Sequence, residues 1–179
     1  MPLKKAVLCC LFLSGIAYGN EVNFHYGANF VDINADGKDD LIVKTRWENT
    51  NAHSYDKYTF AIRENKKDDD GLEQSIFYEV FLDEEGNGLT TSEGADCMLV
   101  GYQFKTKDGV LEFTKYERPL GEGYIDKQPV TKTKYSLVST VAKQGAVYPG
   151  DPLWFFEKES ELVTDSKHCS VHEVWEQGD

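Results

Sequence analysis

Short runs of β-branched and aromatic residues, each closed by a turn signal, set the limits on what this chain can fold into. The sharpest pair runs from Cys97 to Phe104 and from Val110 to Tyr116, with Lys107-Asp108-Gly109 between them. Asp-Gly suits a two-residue type I′ turn, whose central residues both need positive φ, so the pair reads as an antiparallel hairpin. Phe30–Ile33, Leu41–Trp47, Tyr58–Arg63, Ser75–Leu82 and Leu153–Phe156 repeat the strand pattern. Polar connections at Glu48–Asp56 and Glu64–Gly71, and an acidic, Gly-rich one at Asp83–Asp96, separate them. Val130–Lys143 suits either a strand or a short helix, because Leu137, Val138 and Val141 satisfy both periods loosely. Cys169–Trp175 alternates as a terminal strand would. The expectation is a mostly β fold with little helix: an antiparallel β-sandwich or barrel-like single domain, or two tightly packed sub-domains. Ten Tyr, ten Phe and three Trp supply the large side chains of its core.

That domain should begin at Asn20. Lys4 and Lys5 form a basic start, Ala6–Ile16 an apolar stretch too short to span a bilayer, and Ala17-Tyr18-Gly19 a small-x-small cleavage site. Residues 1–19 therefore read as a secretory signal and 20–179 as the exported part, placing the protein in the periplasm or outside the cell. Export leaves two cysteines, Cys97 and Cys169, most simply read as a disulfide in an oxidising compartment; two buried thiols are the alternative. No Cys-x-x-Cys is present, which argues against redox catalysis. Loss of Lys4 and Lys5, with no acid removed, takes the net charge from −12 to −14. A surface this acidic disfavours nucleic acid and anionic membrane as partners. No later segment is apolar enough to span a membrane.

One acidic stretch has the spacing of a metal loop. Asp32-Ile33-Asn34-Ala35-Asp36-Gly37-Lys38-Asp39-Asp40 places oxygen ligands at alternate positions: the side chains of Asp32, Asn34, Asp36 and Asp40 and the carbonyl of Lys38. A hard cation such as Ca²⁺ takes six to eight such oxygens, and Gly37 stands where the chain must turn sharply. The twelfth loop position is Val43 where an EF-hand needs Glu, and the flanks are strand-like, so this is no EF-hand. The same letters suit an Asx-rich turn that needs no metal. The ion is expected to be structural, ordering the loop between two strands.

The segment from Asn29 through this loop to Arg46-Trp47-Glu48-Asn49 resembles the carbapenem intrinsic-resistance proteins of the CarF/CarG type. So do Asn51-Ala52-His53-Ser54-Tyr55, Tyr58-Thr59-Phe60 and Gly94-Ala95-Asp96-Cys97. The resemblance is strongest over the first third of the exported chain. It implies a periplasmic protein that protects against carbapenem without β-lactamase activity, by sequestering the drug or shielding its targets. Its implied partners are the sister resistance protein, the carbapenem itself and penicillin-binding proteins. Sequestration needs a cation for the drug's carboxylate. Arg46, Arg63 and Arg118 are scarce cations in so acidic a chain, and Arg46 with Trp47 beside it is the pair singled out for ligand binding.

The residues themselves offer little hydrolytic machinery. Ser54-Tyr55-Asp56-Lys57 matches Ser-x-x-Lys, but it stands in a polar stretch before a strand rather than opening a helix. Lys105-Thr106-Lys107 and Lys132-Thr133-Lys134 only approach Lys-Thr-Gly, and Ser-Asp-Asn is absent. His168 and His172 are four apart, a spacing that could serve zinc only on a helix. The sequence therefore predicts no enzyme. The competing readings are a metal-assisted hydrolase built on His168 and His172, and an exported calcium-binding adhesion module unrelated to antibiotics.

Overall fold

The computed structural model describes residues 20–48, 54–82, 86 and 88–175. The expected signal at residues 1–19 and the Asn51-Ala52-His53 part of the resemblance lie outside them. The described strands are β1 (Asn20–Val22), β2 (Gly27–Val31), β3 (Asp40–Glu48), β4 (Ser54–Lys67), β5 (Glu73–Glu79) and β6 (Phe81–Leu82). They continue with β7 (Leu89–Thr90), β8 (Ser92–Gly94), β9 (Cys97–Lys107), β10 (Val110–Glu117), β11 (Gln128–Ser139) and β12 (Trp154–His168). Two short helices complete them, α1 (Thr140–Gln144) and α2 (His172–Trp175). The larger sheet has the order β1-β9-β10-β11-β12-β6, with β8 beside β9. The smaller has the order β2-β3-β4-β5, with β7 beside β4. Only β12 and β6 pair in parallel among these strands. The β-sandwich expected from the sequence is the fold.

Alternation along each strand builds the core. Ile42 on β3, with Phe60 and Ile62 on β4, faces Phe104, Leu111, Phe113, Leu137 and Phe156 of the larger sheet, with Phe24 and Ile33 filling in from connections. Phe60 meets Phe156 edge-on at 5.2 Å and Phe104 at 5.8 Å, separations at which aromatic pairs add to simple burial. The β9–β10 hairpin turns at Asp108 (φ 53°) and Gly109 (φ 84°), as Asp-Gly predicts. A smaller cluster of Tyr116, Val130, Val171 and Val174, joined by Met98 and Trp175, forms around the C-terminal segment. Tyr116 alternates with the core-facing Lys115, so this cluster covers the back of the larger sheet. A Cβ at Gly101 would come within 2.5 Å of the Trp175 ring, which is why the strand has no side chain there. Cys97 and Cys169 are joined, with Cα atoms 5.6 Å apart, a normal disulfide span.

Several stretches depart from the sequence reading: the connection expected at Asp83–Asp96 carries β7 and β8, β4 takes in Ser54–Asp56 and Glu64–Lys67 from the expected polar connections, and three more differ in kind or extent. Cys169–Trp175 is not a strand: it turns after Ser170, whose carbonyl accepts from Glu173 N, and ends in the one-turn α2. Val171 and Val174, three apart, are both buried there, a helical spacing that the apparent alternation concealed. Val130–Lys143 divides, running as β11 to Ser139 and then as α1, where the Ser139 hydroxyl caps Ala142 N and Gly145 closes the end at φ 79°. Of the expected Leu153–Phe156 strand, Trp154–Phe156 merely opens the 15-residue β12, whose later residues are too polar to read as strand.

Candidate functional site

The acidic loop between β2 and β3 closes one end of the sandwich. Ile33 O accepts from Leu111 N at 2.8 Å, and Asn34 bridges to Val110, so the loop ties the smaller sheet to the β9–β10 hairpin. Its side chains fold onto its own backbone. Asp32 Oδ1 accepts from Asn34 N (3.2 Å) and Asp36 N (3.3 Å), and its Oδ2 from Gly37 N (2.8 Å). Asn34 Oδ1 accepts from Asp36 N at 3.1 Å. Asp36 Oδ1 accepts from Lys38 N at 2.9 Å, while its Oδ2 takes the Lys38 ammonium at 3.1 Å. Asp40 differs from the rest. It is 0% exposed, and its two oxygens accept from Ile33 N (3.0 Å) and Arg63 N (2.8 Å). Burial holds its carboxyl above the usual carboxylate range.

The calcium ligand set therefore fits in part. Asp32, Asn34 and Asp36 share one tight loop, and a carboxylate has about four lone-pair sites, so their backbone bonds leave acceptor capacity. Asp40 serves the fold first, tying the loop to β4. Among the described residues no group of three or more His, Cys, Asp or Glu side chains is gathered as a metal would gather them.

Arg46 and Trp47 are neighbours on β3, so their side chains leave opposite faces of the sheet. Arg46 lies in a polar cluster. Its Nη2 donates to Ser54 Oγ (2.6 Å), its Nη1 to Tyr26 Oη (3.2 Å), and its Nε pairs with Glu48. Tyr26 Oη in turn donates to Asp56, which also holds Lys44 at 3.2 Å. Trp47 is 67% exposed on the other face and packs against Tyr55 at 5.6 Å. The two do not form one stacked, cationic pocket.

The hydrolase-like letters do not assemble either. Ser54 and Lys57 both lie on β4, three apart, so they point to opposite faces where Ser-x-x-Lys chemistry needs one helical face. Ser54 Oγ is taken up by Arg46 and Glu93. His168 bridges Ser166 Oγ (2.7 Å at Nε2) and Glu173 Oε2 (3.2 Å at Nδ1), holding α2 to the end of β12. His172 lies on α2 with its ring against Trp175 at 4.1 Å.

A cleft of about 500 Å³ opens where the core-facing positions of the larger sheet turn polar. Along β10, Leu111 and Phe113 give way to Lys115 and Glu117. The β10–β11–β12 register sets Phe113, Tyr135 and Lys158 in one row and Lys115, Thr133 and Glu161 in the next. Arg118, Thr131 and Leu82 complete the cleft's working wall, and none of its lining residues belongs to the smaller sheet. Lys115 pairs with Glu117 at 2.9 Å and Lys158 with Glu161 at 2.6 Å. Arg118 is 2% exposed; its Nη1 donates to Pro119 O at 2.9 Å, while Nε and Nη2 donate to the carbonyls of Cys169 and Tyr124. Burial lowers its pKa, with Asp126 and Glu173 opposing from a distance. Three cations against two carboxylates thus line a cleft in a chain of net charge −12. The sequence reading named Arg118 among the scarce arginines but overlooked the rest. Their signal was the run of polar residues at positions in phase with Leu111 and Phe113.

Fold and cleft define an antiparallel two-sheet sandwich with a ligand-sized, cation-bearing opening. The model of the family described as "Carbapenem resistance protein CarG-like" matches residues 24–177, and the chain belongs to that family. It is a carbapenem-resistance-related protein, which sets aside an adhesion module unrelated to antibiotics. A solved structure described as "Crystal structure of CarG" is similar with a TM-score of 0.69 at 19% identity, over 89% of this chain and 96% of that one, a likeness of fold. No curated protein matches the chain. Among the described residues no helix is long and apolar enough to cross a membrane.

Proposed function

We propose that this protein protects a cell from carbapenem without breaking the drug, by holding it non-covalently in the cleft beside β10, β11 and β12. The observation that carries this reading is the cleft itself. At about 500 Å³ it falls in the ordinary range for small-molecule sites, and it concentrates Lys115, Arg118 and Lys158 in an acidic protein. A carbapenem is a small carboxylate, so charge and size both suit it. The protein acts after export to the periplasm, where the drug meets its targets. Ca²⁺ at Asp32, Asn34, Asp36 and the Lys38 carbonyl, with Asp40 bracing the loop, serves structure only.

A second reading is that the protein shields penicillin-binding proteins, with the sister resistance protein as partner. The exposed Trp47, backed by the half-buried Tyr55 on the outer face of the smaller sheet, favours a contact of that kind. One experiment separates the two. The protein is expressed with its own leader in a susceptible enterobacterium, and the pure protein is titrated with carbapenem while ring absorbance is followed. Sequestration predicts a raised inhibitory concentration, saturation at one equivalent and an intact ring. Ring loss beyond one equivalent overturns the non-enzymatic reading. Resistance without drug binding transfers the function to target shielding.

A further inference from the structure

Strand β5 leaves one edge of the smaller sheet open. Tyr78 stands opposite Ile62 of β4, and Val80 N donates to Phe60 O at 2.9 Å. In an antiparallel ladder such bonded positions alternate with positions whose N–H and C=O point away, which here include Ser75 and Phe77. Arg63, opposite Phe77, has the same phase: its N–H turns from β5 and donates to Asp40 at 2.8 Å. Among the described residues no strand lies beyond β5. Edges are normally blunted by shortness, charge, Pro or a bulge. β1 has three residues including Glu21, and β12 past Phe156 is studded with Glu and Lys. β2, five residues long, has its Gly27 carbonyl taken by Asn29 Nδ2 at 3.2 Å. β5 instead runs Gln74-Ser75-Ile76-Phe77-Tyr78 with no charge, Pro or register shift, and Phe77 is 40% exposed.

We infer that β5 pairs with β5 of a second copy of this chain, antiparallel about a twofold axis at Phe77. The strand is its own complement in that register. Phe77 meets its twin on the outer face, and Ile76 meets the partner's Tyr78 on the other, both pairings of a kind that stabilises sheets. Ser75 faces the partner's Glu79, a hydroxyl set against a carboxylate. Neither Glu73 nor Glu79 faces its own kind, which matters between two chains of net charge −12 each. Sliding the partner by two residues would set Glu73 against the partner's Glu79, and sliding it by one would oppose outward groups to inward ones. A twofold pairing uses both open edges, so assembly stops at two copies. The cleft has no lining residue on β5, so the pairing uses none of it.

The test is sedimentation velocity from about 1 to 100 μM, in low and high salt, on protein purified after expression with its own leader. A contact one strand wide predicts a doubled mass that grows in over that range. Salt should tighten it by screening two like-charged molecules. Phe77→Lys sets two ammonium groups opposite each other and should weaken the dimer about tenfold or more, with an unshifted melt because Phe77 lies outside the buried core. Phe77→Cys, whose Cα atoms would stand about 5.5 Å apart across the axis, should give a disulfide-linked dimer on mild oxidation, and Ser75→Cys should not. A single-copy mass throughout, or a dimer indifferent to Phe77→Lys, overturns the pairing. Cross-linking through Ser75→Cys as readily as through Phe77→Cys overturns its register.

Discussion

Asp40 shows how one side chain can join two tasks. Its oxygens accept backbone N–H groups from the loop before it and from β4 across the sheet, at 3.0 Å and 2.8 Å. Asp40→Asn replaces one acceptor by an amide that faces a donor. The expected cost is on the order of 1–3 kcal/mol, the penalty for a buried unsatisfied group. Denaturation midpoints with m unchanged would measure it, and a variant as stable as the parent would refute it. Burial raises the folded pKa of Asp40, so its ionised form is disfavoured on folding. Its relative contribution to stability is therefore fully present below the ordinary Asp value and is lost as pH rises through the raised one. In chelator the parent should show that slope, and the Asn variant should lack it. At this same scale the sequence misled over Arg46 and Trp47. Adjacency in sequence suggests partnership, yet a period of two parts neighbours on a strand.

The acidic loop is the element on which the proposed metal dependence would turn. Its ends belong to β2 and β3 and its middle rests on the β9–β10 hairpin, so ordering it stabilises contacts in both sheets. Added Ca²⁺ is expected to raise the melting temperature and chelator to lower it, since an ion that binds only the folded state adds stability with its concentration. A melt unmoved by either would return the loop to a self-capped Asx turn. Legibility also varied by element. The β9–β10 hairpin was plain because Asp-Gly admits few backbones, and both of its turn residues have positive φ. β12 was not, because Glu157–Lys167 carries mostly polar letters that only a paired, projecting strand can accommodate. The cleft was hidden for a related reason: Lys115, Thr133 and Glu161 look like surface residues until register sets them in one row.

Across the whole molecule the acidic loop and the cleft stand apart. β10 starts at Val110, against the acidic loop, and ends at Glu117, in the cleft, roughly 23 Å away at strand rise. A cation at the loop would therefore touch no ligand held in the cleft, and its expected effect is on stability. The disulfide is the other global constraint, spanning a separation of 72 residues. Removing it with Cys97→Ser and Cys169→Ser should cost about 3–5 kcal/mol, visible as a lower denaturant midpoint. Equal midpoints for parent and double variant would mean the bridge adds nothing.

The position of that bridge bears on how the chain assembles. Cys97 opens β9 and Cys169 directly follows β12, so the covalent loop encloses four consecutive strands paired in sequence order. Contacts between successive strands are local and form fastest. β1 must instead find β9, and β6 must find β12, across long stretches of chain. The bridge therefore closes a ring around the meander that supplies most of the cleft, and β1, β6 and the smaller sheet, all from residues before Cys97, must dock on it to complete the core.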